Sequence, residues 1–290
     1  SKLSGGLSAL MSQSIRFDLP GLTVHGLCFG PDDGVPVLAL HGWLDNAASF
    51  ERLAPNLSGC RVVAIDQRGH GLTDHFGRPY HIWDGVPDVI AMLDALGWER
   101  ATILGHSMGA AVATLVASAY PDRIDALWLL EGLGPWTYPD GEAPDLLRQA
   151  TDRLKRIGDR SKPLYATIDQ AIEARVRGGV VPLTREAAEP IVRRGLVRSE
   201  GGWTWSADQF LTLPPLFRLD ENQIQVFIQR LAMPISLVLG DVGFFQQPLF
   251  LPERISLCRD IRVETFPGGH HFHLEGAEEA IAQWLVERLS

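Results

Sequence analysis

Ala101-Thr102-Ile103-Leu104-Gly105-His106-Ser107-Met108-Gly109 joins four strand-forming residues to a G-x-S-x-G pentapeptide, and a helix of small residues follows from Met108 to Tyr120. The pentapeptide alone is a weak signal, because Gly and Ser are common. Its place between a strand and a helix makes it specific. A strand-to-helix turn this tight forces the serine into a strained backbone conformation, and the flanking glycines leave room for the two elements to approach. Ser107 Oγ is then expected to point out of the sheet edge, with the Met108 N–H at the start of the helix.

Working outward, the same alternation of strand and helix continues on both sides. Ile15–Leu19 and Leu22–Phe29 read as antiparallel strands about the Pro20-Gly21 turn. Val35–Leu40 and Val62–Ile65 are continuous apolar runs, as expected of strands buried on both faces. Helical spacing is expected around Phe50–Leu57. Val86, Val89, Ile90, Leu93 and Leu96 give Asp84–Leu96 the i, i+3, i+4, i+7 pattern of an amphipathic helix, with Gly97 to end it. Ala126–Leu130, Ile235–Leu239 and Ile261–Phe266 read as further strands, and Ala277–Leu289 as a final helix. Between Pro135 and Leu231 the strand signal gives way to charge and helical spacing. Alternating β and α elements need right-handed crossovers, so the framework is expected to be an α/β fold with a mostly parallel sheet. The expected organisation is a core in two parts, residues 14–134 and 232–290, split by a helical cap over 135–231.

Composition narrows the class. The chain has 290 residues with 46% hydrophobic and 21% charged content, which excludes disorder as its main state. Its net charge of −9 argues against a nucleic-acid or anionic-membrane surface, both of which need a basic footprint. Cys28, Cys60 and Cys258 are too few and too scattered for a disulfide framework or a zinc knuckle. No apolar run reaches the roughly 18 residues that span a bilayer. Ser1–Leu10 lacks the continuous apolar stretch of a signal peptide, and Met11 offers an alternative start. The expectation is a cytoplasmic globular protein.

A serine hydroxyl needs a base to become nucleophilic at neutral pH. His270, in Pro267-Gly268-Gly269-His270-His271-Phe272-His273, follows the last strand on a Gly-rich loop at the carboxyl end of the sheet, where it overhangs the serine turn. Three histidines in four positions also suggest a metal site, but no Cys or Asp neighbours them in sequence, so no metal is expected. His271 and His273 read as a loop packing residue and a hydrogen-bonded partner of the following helix. A carboxylate should orient the imidazole. Glu131 and Asp241 both end strands, and the residues alone leave both open. For the oxyanion, Met108 N–H is one donor and Trp43 N–H, in His41-Gly42-Trp43 after the third strand, is the other.

Strand–His41-Gly42-Trp43, Asp66-Gln67-Arg68-Gly69-His70-Gly71, Gly105–Gly109 and Gly268-Gly269-His270 together resemble the α/β-hydrolase superfamily over nearly the whole chain. His41–Phe50 and Pro267–His273 look most like its serine-hydrolase-like subgroup. The resemblance implies an eight-stranded, mostly parallel sheet flanked by helices with an inserted cap. It also bears on the acid. The family commonly places it two residues beyond Asp241, where this chain has Gly243. Some relatives, including a branch of haloalkane dehalogenases, place it after the strand that follows the nucleophile's helix, and that slot is Glu131. The resemblance therefore favours Glu131, and Asp241 becomes a loop or hinge residue. It implies structural roles for His41 and His106 and a bracing role for the Asp66–Gly71 turn.

Haloalkane dehalogenases and epoxide hydrolases carry Asp at the elbow; Ser107 instead suits an acyl-enzyme. The expected reaction is hydrolysis of a small-molecule ester or thioester by Ser107, His270 and Glu131, without cofactor or metal. Trp136, Trp203, Trp205, Phe244 and Phe245 are candidate pocket walls. The same groups would serve carbon–carbon bond hydrolysis or a perhydrolase reaction, and the fold also serves non-catalytic small-molecule binding proteins. A lipid-directed hydrolase is disfavoured by the net charge.

Overall fold

The structure is a computed structural model that describes residues 12–179, 181–243 and 249–289. Ser1–Leu10, Phe244 and Phe245 lie outside the described residues. β1 (Gln13–Leu19) and β2 (Leu22–Phe29) form a hairpin whose register closes at Leu19 and Leu22, across the Pro20-Gly21 turn. β3 (Val35–Leu40) and β4 (Cys60–Ile65) follow, then α1 (Gly85–Ala95), β5 (Ala101–His106), α2 (Met108–Ala119) and β6 (Ile124–Leu130). Between β3 and β4 the expected helical stretch is instead two 3₁₀ turns, Ala47–Phe50 and Ala54–Asn56. Pro55 explains the second, since it has no N–H to continue an α-helix.

After β6 come α3 (Ala143–Lys155), α4 (Ile168–Arg177), α5 (Arg185–Gly195), a hairpin of β7 (Leu196–Ser199) and β8 (Gly202–Trp205), and α6 (Glu221–Gln229). The hairpin corrects the all-helical reading of this segment. Its signal was there: Trp203 and Trp205 alternate, and Gly201 takes φ +86° at the turn, a conformation Gly adopts without strain. β9 (Ile235–Gly240), α7 (Leu251–Leu257), β10 (Ile261–Phe266) and α8 (Glu278–Val286) complete the described chain.

Eight strands form one sheet in the order β1-β2-β4-β3-β5-β6-β9-β10. Only the β1–β2 and β2–β4 pairs are antiparallel. One apolar layer packs α1, α2, α6 and α7 on one face, with Met92, Val116, Ile224 and Leu251 among its buried residues. The other packs α8 and the 3₁₀ turns, centred on Phe50, Trp128 and Phe272. Each fully buried side chain of this size contributes about 1.5–3 kcal/mol. The segment between β6 and β9 has its own small core, in which Ile172, Ala188, Ile191 and Val192 are buried and Trp203 and Trp205 are half-buried. The connections leave in opposite directions, from β3 to β4 on one side and from β5 to β6 on the other. The turns after β3 and β5 therefore face a crevice at the carboxyl edge of the sheet, where open α/β sheets bind ligands.

Candidate active site

Ser107 sits in that crevice at φ +55° and ψ −113°, outside the regions a non-glycine residue ordinarily occupies. Such a conformation costs on the order of 1–3 kcal/mol and persists only where the surroundings enforce it. Here Ser107 N donates to Leu130 O at 3.0 Å, and Ser107 O accepts from Ala110 N and Ala111 N. Gly109 lets α2 press onto β3: a Cβ there would lie 2.6 Å from the Leu40 carbonyl carbon and 2.7 Å from His41 O. His270 Nε2 lies 3.0 Å from Ser107 Oγ, and His270 Nδ1 lies 3.1 Å from Glu131 Oε1. The fold thus brings Ser107, His270 and Glu131 into one chain of hydrogen bonds. Glu131 is fully buried, and its Oε2 accepts from Gly240 N at 3.1 Å. His106 Nε2 donates to the His270 carbonyl at 2.7 Å, so the residue before the nucleophile anchors the loop carrying the imidazole.

The geometry also separates the two carboxylates. Asp241 Oδ1 accepts from Gly268 N at 2.9 Å, which braces the histidine loop but does not reach the imidazole. A Cβ at Gly243 would fall within the Glu131 carboxylate, 2.6 Å from Oε2. The carboxylate of Glu131 fills the space that a side chain at 243 would need.

The turn after β3 is fixed from below. Gln67 N donates to His41 Nε2 at 2.9 Å, so His41 Nδ1 carries the proton and donates to Gly42 O at 2.7 Å. Leu44, at φ +63°, donates its N–H to His70 Nε2 at 3.1 Å. Asp66 is fully buried; it accepts from Ala47 N and Leu72 N and pairs with Arg194 of α5 at 2.9 Å. Trp43 and Met108 both border a cavity beside Ser107, and among the described residues neither backbone N–H donates to a protein acceptor. The Trp43 indole donates to Leu211 O at 2.7 Å, tying the turn to the segment between β6 and β9.

Sequence reasoning missed Asp45. It meets His271 Nε2 at 3.2 Å across 226 residues, so no local spacing could reveal the pair. The premise that no Asp stands near the loop histidines therefore fails in three dimensions: Asp45, His106 and His271 hold ligand-type atoms within 4.8 Å of one another. Burial alone would raise the Asp45 carboxyl, but the His271 hydrogen bond and charge hold it at about 2. His273 bonds Ser49 Oγ at 3.0 Å rather than the following helix. Burial, with the neighbouring His271, pushes the His273 imidazole down to about 3, and burial likewise holds His106 well below its ordinary value.

Two cavities meet at Ser107. One, of about 600 Å³, is lined by His270, His271 and Trp205. The other, of about 780 Å³, is lined by Met108, Met92, Val112, Trp136 and Leu211. Trp43, 46% exposed, borders both. Trp136 and Trp205 therefore stand on cavity walls, whereas Trp203 lines neither and lies under the Arg198 guanidinium, 4.8 Å from its ring.

A family model for the alpha/beta hydrolase fold matches residues 35–277. The chain belongs to the α/β-hydrolase superfamily. It is 29% identical over 290 residues to a serine hydrolase-like protein of Danio rerio, covering 92% of this chain and 85% of that one. With serine hydrolase-like protein 2 of Homo sapiens the identity is 28% over 285 residues, covering 90% and 88%. Among solved structures, a hypothetical protein from Pseudomonas aeruginosa PAO1 is 42% identical over 96% of this chain and 99% of that one, with a TM-score of 0.90. A thioesterase domain from the curacin biosynthetic pathway shares the fold at 24% identity and a TM-score of 0.84, over 95% and 99% of the two chains. The protein is accordingly a hydrolase of α/β fold. No described helix is long and apolar enough to cross a membrane.

Proposed function

We propose that the protein hydrolyses carboxylic esters or thioesters through an acyl-enzyme on Ser107. The observation that carries this reading is the hydrogen-bond chain from Ser107 Oγ to His270 Nε2 at 3.0 Å and from His270 Nδ1 to Glu131 Oε1 at 3.1 Å. His270 takes the hydroxyl proton as Ser107 Oγ bonds the substrate carbonyl carbon, and Glu131 stabilises the resulting imidazolium. The N–H groups of Trp43 and Met108 hold the oxyanion. His270 passes its proton to the leaving oxygen or sulfur as that bond breaks. Water then bonds the acyl carbon while His270 takes its proton, and Ser107 leaves with the proton restored. The residues between β6 and β9 act as a cap over this site.

The test is labelling with a neutral fluorophosphonate, read by intact mass and peptide mapping. A single adduct on Ser107 that is lost in His270→Ala is expected. An unlabelled, folded protein would overturn the reading in favour of a non-catalytic binding protein.

A further inference from the structure

The chain is acidic overall, with 26 Lys and Arg against 35 Asp and Glu. The smaller cavity reverses that sign. Its wall carries Arg153, Arg160, Lys162 and Arg175, and its one acid among the described residues is Asp45, already held by His271. Most other arginines have a carboxylate partner, but among the described residues none of these four lies within 4.0 Å of one. Lys162 and Arg175 instead donate to the carbonyls of Trp205 and Val181, which fixes them without neutralising them. Four cations outside any described ion pair line this concave wall and, although Asp45 and Asp208 act on Arg175 and Lys162 from farther off, focus a positive potential on whatever enters.

The position of His270 says which part of a substrate that is. The proton His270 carries goes to the leaving group, so the leaving group must occupy the cavity His270 lines. His270 lines the cationic cavity and not the apolar one. In the larger cavity Met92, Val112, Trp136 and Leu211 surround the space beside Met108; Arg153 borders this cavity as well, but its other arginines are engaged, Arg68 pairing with Asp88 at 2.9 Å and Arg218 lying over the Tyr138 ring, so that Arg160, Lys162 and Arg175 belong to the smaller cavity alone. From this division we infer that the substrate is an apolar acyl group carried on a multiply anionic leaving group, an alcohol or thiol bearing phosphates or carboxylates. This deepens the reading of Ser107 as an acyl-forming nucleophile and rests on it. The acyl chain enters between α1, α2 and Leu211. The anionic carrier lies under α3 and α4, and charge steers it there from solution.

Three donors with one acyl group test this: octanoyl-coenzyme A, 5-(octanoyloxy)isophthalate and neutral p-nitrophenyl octanoate. The variant is Arg153→Glu/Arg160→Glu, two exposed side chains whose reversal leaves the core untouched. The ratio of kcat/KM for an anionic donor to that for the neutral one is expected to fall at least tenfold in the variant, mostly through KM. In the wild-type protein the same ratio should fall as salt rises. A fall for the coenzyme A donor alone identifies phosphate as the recognised group, and a fall for the isophthalate alone identifies carboxylate. Ratios unmoved by charge reversal for both donors would overturn the inference. Binding of S-octyl-coenzyme A and of 5-(octyloxy)isophthalate, measured by calorimetry, separates this from failure of the hydrolase reading. If Ser107 takes no fluorophosphonate but either ether binds and the variant loses it tenfold, the anion site stands and the chemistry falls. If neither ether binds the wild-type protein, the anion site falls.

Discussion

At Glu131 the backbone adopts φ +56°, a non-glycine strain point like those at Leu44 and, 24 residues earlier, Ser107. Ser107 and Glu131 directly follow the neighbouring parallel strands β5 and β6, so the sheet itself sets their spacing. Glu131→Gln should keep the fold and lower kcat about a thousandfold, because the amide cannot balance an imidazolium. Asp241→Asn, which retains a carbonyl for Gly268 N, should change kcat by less than about threefold. Retained activity in Glu131→Gln with loss in Asp241→Asn, read in steady-state assays, would reverse the two carboxylates' roles. The clash at position 243 yields a sharper test. Gly243→Asp alone should abolish activity by displacing the Glu131 carboxylate. Glu131→Gly vacates that volume and suits the positive φ, so Glu131→Gly/Gly243→Asp should recover kcat/KM at least tenfold over Glu131→Gly alone. Ser107 was legible in the sequence because its turn, glycines and helix are contiguous. Glu131 was legible only as one of two strand-ending acids until a family resemblance tipped the choice, because the exclusion between 131 and 243 exists only in space. Asp45 left no trace, its partner being 226 residues away.

Among the elements, the long periodic ones were readable: α1 and β10 fall within a residue of where their patterns place them. The short ones were not. The seven residues of α7 offer too few turns for a 3.6-residue period to register, and the four-residue strands of β7 and β8 leave only the alternation of Trp203 and Trp205 and the turn glycine as a signal. No local pattern marks how the segment between β6 and β9 is fastened. Asp66–Arg194 and Asn46 Nδ2 to Ile191 O at 2.8 Å hold α5 to the turns after β4 and β3. Arg194 is mostly buried, and removing it leaves a buried carboxylate with only its two backbone donors. Arg194→Ala should therefore destabilise the protein by about 2–4 kcal/mol and speed proteolytic nicking within residues 135–231. Urea melts and peptide mapping of digests would check both, and nicking at an unchanged rate would mean that α5 is held by its apolar face alone.

For the molecule as a whole, the buried histidines set an acid limit. Burial holds the His70 and His273 imidazoles at about 3, against an ordinary value near 6.5. The unfolded chain takes up protons below about 6.5 that the folded one refuses until about 3. Stability is therefore intact above about 6.5 and declines as pH falls between those limits. At pH 5 each imidazole costs about 2 kcal/mol. Urea midpoints at pH 7.5 and 5.0 should show the loss, and His273→Gln should lessen it by about 2 kcal/mol. Asp45 acts lower, its contribution present above about 3.8 and lost as pH falls through about 2. The order of the parts along the chain has a consequence for biosynthesis. A ribosome completes Ser107 and Glu131 before the segment between β6 and β9 begins, but His270 follows Glu131 by 139 residues. At ordinary elongation rates that gap lasts on the order of ten seconds. On the proposed mechanism the nascent chain throughout that gap displays its serine without a base, inert toward acyl compounds until the final loop closes over the sheet.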